Sequence, residues 1–185
     1  MKVCLLAGAI LLTTLVPRAH ARFPGQADDY RQLAKVNALP VALDPAFEFR
    51  KTKRFTLGTL PGRKTNSYGT PGAVKDPAIL AESAYRLFGA VTELDKKRRW
   101  GDYFDFFWRT RSAGPVTVRF EYRQDTLRSF TQAREVSYAE GRGSHKTAFA
   151  VIGDDYINDG RIIAWRCVLL AGGKVVAENR SYLWK

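Results

Sequence analysis

The chain has 185 residues, and its 30 lysines and arginines outnumber its 18 aspartates and glutamates, giving a formal net charge of +12. Because 45% of the residues are hydrophobic and 12% are aromatic, there is ample material for a buried core, which excludes a wholly disordered chain. No apolar run reaches the ~20 residues that a membrane-spanning helix needs, so we expect a protein that does not span a membrane.

Residues 1–21 are typical of a cleaved secretory signal. Lys2 supplies a positive charge, residues 5–16 form an apolar run, and Ala19-His20-Ala21 is a small-residue cleavage site. Cys4 precedes the apolar run, where a lipid-anchored cysteine does not lie, so no lipid anchor is predicted. We therefore expect an exported protein of the periplasm, cell envelope or extracellular space. Its single remaining cysteine, Cys167, is predicted to be a buried apolar side chain with no internal disulfide partner.

Residues 22–76 are predicted to form a basic, loop-rich arm that is partly disordered. Between residues 22 and 75 there are ten lysines and arginines against four aspartates and glutamates, and Pro-Gly pairs interrupt any regular pattern. A short helix over residues 28–36 is the one regular element that the pattern favours. Two interpretations of the arm stay open: a solvated linker, which is favoured, and an interaction segment.

The remaining residues, 77–185, are predicted to form the folded domain. Asp76-Pro77 favours the start of a short helix, whereas the aromatics, glycine and valine of residues 84–91 favour a strand. Residues 92–99 are expected to form a loop or one helical turn. Residues 102–111 predict a central strand, because apolar side chains occur on both alternating faces. One face carries Phe104, Phe106 and Trp108, and the other carries Tyr103, Asp105, Phe107 and Arg109.

Strict alternation of apolar and polar residues is clearest in residues 116–123, which predict a half-buried strand. Shorter strands are predicted at residues 135–139 and 146–152, followed by a loop at residues 153–160. The chain closes with a hairpin of residues 161–170 and 174–184, in which Trp165 and Cys167 share one face and Tyr182 and Trp184 share a face with Val176. About seven strands with regular turn signals predict a mainly β fold, an antiparallel β-sandwich of immunoglobulin-like layout.

This layout resembles the immunoglobulin and fibronectin type III sandwiches, although the cysteine pair of true immunoglobulin domains is absent. The final strand, Ser181-Tyr182-Leu183-Trp184, also resembles the S-x-L-W ending of certain exported bacterial proteins. Neither resemblance implies an activity.

Catalytic and cofactor chemistry find little support in the sequence. After removal of the signal, His145 and Cys167 are the only histidine and cysteine, so a His/Cys zinc site of three or four such ligands is excluded. There is no G-x-S-x-G, G-x-G-x-x-G or P-loop motif, and His145 is expected to be a solvated turn residue. We therefore predict no cofactor and no enzymatic activity, although carboxylate pairs distant in sequence stay open.

Asp154, Asp155 and Asp159 form the densest carboxylate cluster and are weak candidates for a calcium site. The spacing of Asp155, Asp159 and Gly160 resembles part of a calcium-binding loop. Ile157 stands where a ligand is needed, however, and Arg166 stands where a glutamate is needed. Turns that join two strands are the favoured interpretation, and no metal is predicted.

The candidate binding residues are cationic clusters, one of which adjoins an aromatic. They are Arg50, Lys51, Lys53 and Arg54 in the arm, and Lys96, Lys97, Arg98, Arg99 and Trp100 in the predicted loop. We predict a non-catalytic binding or assembly module that contacts anionic polysaccharide, lipid headgroups or an envelope protein. The alternative is a carbohydrate-binding module or carbohydrate-active enzyme, with Trp100 or Tyr103 stacking on sugar. No nucleic-acid partner is expected of an exported protein.

Overall fold

Two antiparallel β-sheets pack face to face, as the alternating strands predict. The structure, a computed structural model, describes residues 30–58 and 76–185, so the predicted signal over residues 1–21 lies outside the described residues. The strands are β1 (Arg31–Leu33), β2 (Phe47–Leu57), β3 (Gly101–Thr110), β4 (Val116–Gln124), β5 (Thr131–Tyr138), β6 (Gly143–Ile152), β7 (Ile162–Ala171) and β8 (Lys174–Arg180). The helices are α1 (Pro77–Leu87), α2 (Glu93–Arg98) and α3 (Asp154–Asp159).

The larger sheet has the order β1-β5-β4-β7-β8, and the smaller has the order β2-β3-β6. Every pair of neighbouring strands is antiparallel. The two inner faces enclose one aromatic-rich core, in which the ring of Phe120 from β4 lies 4.8 Å from Phe104 and 5.4 Å from Phe106 of β3. The prediction of a mainly β fold, an antiparallel β-sandwich, is therefore confirmed.

The strand β3 is central in the smaller sheet, as its two apolar faces predict. Phe104, Phe106 and Trp108 point into the core and are at most 1% exposed. The opposite side of β3 forms the outer face of the smaller sheet. Helix α1 reaches one end of that face, where the buried guanidinium of Arg86 lies 4.5 Å from the ring centroid of Tyr103.

The predicted arm contains a full strand of the sandwich. Residues 47–57 form β2, which pairs along the whole length of β3, so the folded part of the chain begins well before residue 77. The sequence did not predict this strand, because its basic residues resemble those of a loop. They are tolerated in β2 because it lies at the edge of its sheet, where charged side chains face solvent. The predicted helix at residues 28–36 is also wrong for the described part, since Arg31–Leu33 is a strand paired with β5.

The segment between β1 and β2 crosses the outer face of the larger sheet. Leu39 packs against Val168, Leu170 and Val175, and the backbone carbonyl of Pro40 accepts a hydrogen bond of 2.9 Å from the amide of Val175. Backbone hydrogen bonds from the amides of residues 42 and 44 to β8 continue this contact. The described part of the arm is therefore bound to the sandwich.

Three further expectations are wrong in detail. Residues 84–91, predicted as a strand, belong to α1 and to the connection that follows it, and residues 153–160 contain α3 instead of a plain loop. The closing hairpin forms, but β8 ends at Arg180 and the last residues turn away from it. Tyr182 and Trp184 consequently separate: Tyr182 is 94% exposed and Trp184 is 7% exposed.

Candidate binding face

Three adjacent strands place cationic side chains on the outer face of the smaller sheet. Lys51 of β2, Phe107 of β3 and Lys146 of β6 are direct cross-strand neighbours, and Lys53 and Arg109 lie in the adjoining rows. Because side chains alternate along a strand, these residues share the outer side while their neighbours fill the core. We call Lys51, Lys53, Arg109 and Lys146, together with Phe107 at their centre, the basic face.

Phe107 is the aromatic centre of the basic face. It is partly exposed, and the ammonium groups of Lys53 and Lys146 each lie 5.8 Å from its ring centroid. This distance suits a cation–π interaction, which helps to hold both ammonium groups over the sheet. The face thus presents fixed positive charge beside an apolar ring.

Two carboxylates lie within the rows of the basic face: Glu48 is the cross-strand neighbour of Arg109, and Asp105 is that of Lys53. Glu48 accepts hydrogen bonds from Arg50 at 3.0 Å and forms an ion pair with Arg109 at 2.5 Å. The hydrogen bond from Arg50, followed by the charge of Arg109, holds the pKa of Glu48 below its ordinary range. Asp105 is 8% exposed and pairs with Lys146 at 3.0 Å, while its Oδ1 has no hydrogen-bond partner.

The positive charge exceeds the negative on this face. Arg50, which lies in a bulge of β2, adds a fifth cation to the four of the basic face, against the two carboxylates of Glu48 and Asp105. Lys51 and Lys53 are exposed and form no ion pair with any residue that the structure describes. Their charges are therefore available to an external anion.

Arg54, predicted with this cluster, is engaged by the protein itself. Its guanidinium donates hydrogen bonds to Asp102 at 3.1 Å and to the backbone carbonyl of Ile162 at 3.0 Å, and it lies 5.5 Å from the ring of Phe104. Arg54 therefore connects β2 to β3 and β7, whereas Arg50, Lys51 and Lys53 stay at the surface.

In the second predicted cluster, residues 96–100, some side chains are exposed and others contact the protein itself. Lys97 and Arg98 of α2 are exposed and form no ion pair within the described ranges, while Lys96 pairs with Glu93 at 2.6 Å. Arg99 donates hydrogen bonds to the backbone carbonyls of residues 86 and 88 at the end of α1. Trp100 packs against Leu57 and against Gly58, whose φ of 81° and contact with the indole both favour glycine.

Phe107, Arg109 and Lys146 were not predicted as binding residues. The alternation of β3 did place Phe107 and Arg109 on one face, but no sequence signal showed that β2 and β6 flank that strand. The pairing is non-local, since Lys51, Phe107 and Lys146 lie far apart in the chain.

The outer face of the larger sheet offers no comparable excess of free cations. Its arginines alternate with glutamates in a chain of ion pairs that crosses all five strands. The pairs are Arg31–Glu135, Arg119–Glu135, Arg119–Glu121, Arg166–Glu121, Arg166–Glu178 and Arg180–Glu178, with N–O distances between 2.6 and 3.9 Å. The arginines that alternate with core aromatics in the sequence are thus largely neutralised here.

The weak metal candidates Asp154, Asp155 and Asp159 all belong to α3. Asp155 pairs with the buried guanidinium of Arg134 at 2.6 Å. Among the residues that the structure describes, no three His, Cys, Asp or Glu side chains are grouped to hold a metal ion. His145 is in β6 instead of a solvated turn: its ring stacks on Trp108 with a centroid distance of 4.4 Å, and its Nε2 lies 2.9 Å from the carbonyl oxygen of Gly141.

Of the two residues predicted to stack on sugar, Tyr103 is 2% exposed and Trp100 is partly buried, and both pack in the same apolar cluster. The other tryptophans are also packed: Trp108 is 1% exposed and Trp165 contacts the main core. Trp184 is covered by the guanidinium groups of Arg123 and Arg166, at 4.6 and 5.3 Å from its ring centroid.

No protein-family model, no curated protein and no solved structure matches this chain. In the described ranges, no helix has the length and apolar character needed to cross a membrane.

Proposed function

We propose that this chain is an exported, non-catalytic binding module of the cell envelope or exterior, which contacts an anionic partner through the basic face. The observation that carries the proposal is the arrangement of Lys51, Lys53, Arg109 and Lys146 around the partly exposed ring of Phe107. A cationic surface of this kind attracts polyanions over distances of about one Debye length.

A regular sheet surface suits an extended anionic polymer or an anionic surface. Side chains in successive rows of a sheet recur at intervals of about 7 Å along each strand, so the cations form a two-dimensional array instead of a single site. Lysine is a compact point charge that adapts to many anions, so such an array favours charge density over a specific chemical shape. Anionic polysaccharide and lipid headgroups fit this description.

The strand order is compatible with an immunoglobulin-like module, which we include in the proposal. The seven strands β2–β8 divide into a three-stranded and a four-stranded sheet, with the central strands β3, β4 and β7 in the interior of their sheets. Sandwiches of this layout commonly act in adhesion and assembly, although the layout does not by itself assign a function.

The alternative, a carbohydrate-active protein, has weaker support. Stacking on a neutral sugar needs an exposed aromatic platform, whereas the two residues predicted for this role, Trp100 and Tyr103, are partly buried and buried. Phe107 is the aromatic residue of the candidate face, and it is surrounded by cations. These contacts favour an anionic ligand over a neutral one.

Charge reversal on the basic face tests the proposal. The variant Lys51→Glu/Lys53→Glu is compared with Lys35→Glu/Lys174→Glu, which changes the formal charge by the same amount. Lys35 follows β1 and Lys174 begins β8, and both are exposed. We expect binding to heparin, used as the polyanion probe, to weaken about tenfold or more for the basic-face variant and much less for the control. Equal elution of the two variants from a heparin column would contradict the proposal.

A further inference from the structure

The connection between α1 and α2 exposes large apolar side chains. Phe88 is 78% exposed, Val91 is 84% exposed and Leu94, at the start of α2, is 58% exposed. In α1, Ile79, Leu80 and Tyr85 are also exposed, so several apolar side chains of this helix are not covered by the residues that the structure describes. We call residues 77–98 the helical hairpin, and residues 88–94 its tip.

The tip is held in place by the sandwich. The guanidinium of Arg99 donates hydrogen bonds to the backbone carbonyls of Arg86 and Phe88, and the hydroxyl of Tyr103 donates one of 2.5 Å to the carbonyl of Arg99. An amide hydrogen bond of 2.8 Å from Ala90 to Leu87 closes the turn. The apolar side chains are therefore presented at a fixed position, and their exposure is a feature of the folded chain.

Cations follow the tip directly. Helix α2 begins with the capping box of Thr92 and Asp95 and ends with Lys96, Lys97 and Arg98. Lys97 and Arg98 are exposed, and neither forms an ion pair in the part of the chain that the structure describes. One short element thus presents exposed apolar groups and exposed positive charge close together in the chain.

We propose that the helical hairpin docks on an anionic lipid bilayer. Phe88, Val91 and Leu94 enter the boundary between headgroups and acyl chains, while Lys97 and Arg98 contact the phosphates. Interfacial segments of this composition bury their apolar groups about 5–10 Å into the bilayer and gain additional affinity from anionic lipids. The inference rests on the proposed function, because it names the anionic partner as a membrane surface.

The exposed apolar groups decide between a bilayer and a soluble polyanion. A polysaccharide or other hydrophilic polyanion pairs with Lys97 and Arg98 but offers nothing apolar to Phe88 and Val91. A bilayer satisfies both sets of groups at once, since its charged surface lies directly above a hydrocarbon layer. Single exposed apolar residues are common on protein surfaces, but two neighbouring ones, such as Phe88 and Val91, indicate an interaction site.

A fluorescent probe at the tip tests the proposal. In the full chain with Cys4→Ser, an environment-sensitive fluorophore is attached to Val91→Cys or, as a control, to Ala113→Cys in the β3–β4 connection. Cys167 is buried and does not compete for the label. On addition of vesicles of phosphatidylglycerol and phosphatidylcholine, we expect a blue shift at position 91 and little change at position 113. Because the probe reports its own surroundings, attachment of another segment to the vesicle does not produce this difference.

Substitutions identify the groups responsible. Phe88→Ser/Val91→Ser is expected to weaken vesicle binding about tenfold or more, whereas Phe130→Ser/Leu183→Ser, at similarly exposed positions, is expected to leave it nearly unchanged. Lys97→Gln/Arg98→Gln should reduce binding to anionic vesicles, and pure phosphatidylcholine vesicles should bind weakly. An absent shift at position 91, equal shifts at both positions, or equal effects of the two serine pairs would overturn the proposal.

The outcomes separate this inference from the proposed function. Heparin binding that depends on Lys51 and Lys53, without a shift at position 91, would contradict membrane docking alone. A shift at position 91, with heparin binding insensitive to Lys51 and Lys53, would contradict the role of the basic face alone.

Discussion

Arg54 and Asp102 form an ion pair of 3.1 Å at a carboxylate that has no exposed surface. The same carboxylate accepts hydrogen bonds from the hydroxyl of Thr56 at 2.6 Å and from the amide of Ile162 at 2.8 Å. Arg54 and Thr56 belong to β2, Asp102 to β3 and Ile162 to β7, so one side chain joins the two sheets. A residue predicted to bind an external anion thus contributes to the fold.

The substitution Asp102→Asn is expected to lower the free energy of unfolding by about 2–3 kcal/mol. The neutral amide weakens the charge-assisted hydrogen bond from Arg54 and places a donor opposite the amide of Ile162. Urea denaturation measures the change. Glu48→Gln serves as the control, because the ion pairs of Glu48 with Arg50 and Arg109 are exposed to solvent and are expected to contribute much less to stability. Equal losses in the two variants would contradict the structural role of Asp102.

Arg86→Met is expected to loosen the helical hairpin. Arg86 is 3% exposed, stacks on Tyr103 and lies 3.8 Å from the buried Asp105, whose remaining ion-pair partner is then Lys146. We expect a loss of about 1–3 kcal/mol, together with faster hydrogen exchange in residues 77–98 than in the strands. Arg142→Met, at an exposed turn position, is the control. Unchanged exchange in residues 77–98 would show that Arg86 does not anchor the hairpin.

Stability at high pH should depend on Tyr103. Burial raises the pKa of this phenol from its ordinary value of 10.0 to about 12, and burial also raises the pKa of Tyr122. Because the protonated form is favoured in the folded state, its contribution is complete below pH 10 and is lost as the pH rises towards 12. An alkaline titration of phenolate absorbance should therefore include late steps from Tyr103 and Tyr122.

The variant Tyr103→Phe should remove one of these late steps, and its alkaline unfolding should depend less steeply on pH. Tyr182→Phe, at a position that is 94% exposed, should leave alkaline unfolding as it is. Loss of an early step instead of a late one in Tyr103→Phe would show that the phenol is accessible to solvent.

Cys167 should be inert in the folded protein. Its thiol is fully buried, and burial, followed by the charge of Glu121, raises its pKa well above the ordinary range. In the Cys4→Ser background, a thiol reagent is expected to modify the chain only at urea concentrations that unfold it. Stoichiometric modification of Cys167 in native buffer would contradict this burial and would also disturb selective labelling of Val91→Cys.

The alternation of residues alone determined the β-sandwich. The period of two in residues 116–123 predicted β4, whose Val118, Phe120 and Tyr122 have no exposed surface. The two apolar faces of residues 102–111 likewise predicted that β3 is central. These predictions succeeded because the side chains of a strand that face the core are apolar, so the strand is visible in the local pattern of its own residues.

Only the tertiary structure decided which charges are free. Arg50, Lys51, Lys53 and Arg54 are equally basic in sequence, yet Arg54 is paired with a buried carboxylate and Lys51 and Lys53 face solvent. Strand β2 was hidden for the same reason, because its cations occupy the solvent side of an edge strand whose partner lies about fifty residues further along the chain. Such pairings depend on which strands become neighbours, and that information is absent from any local pattern of residues.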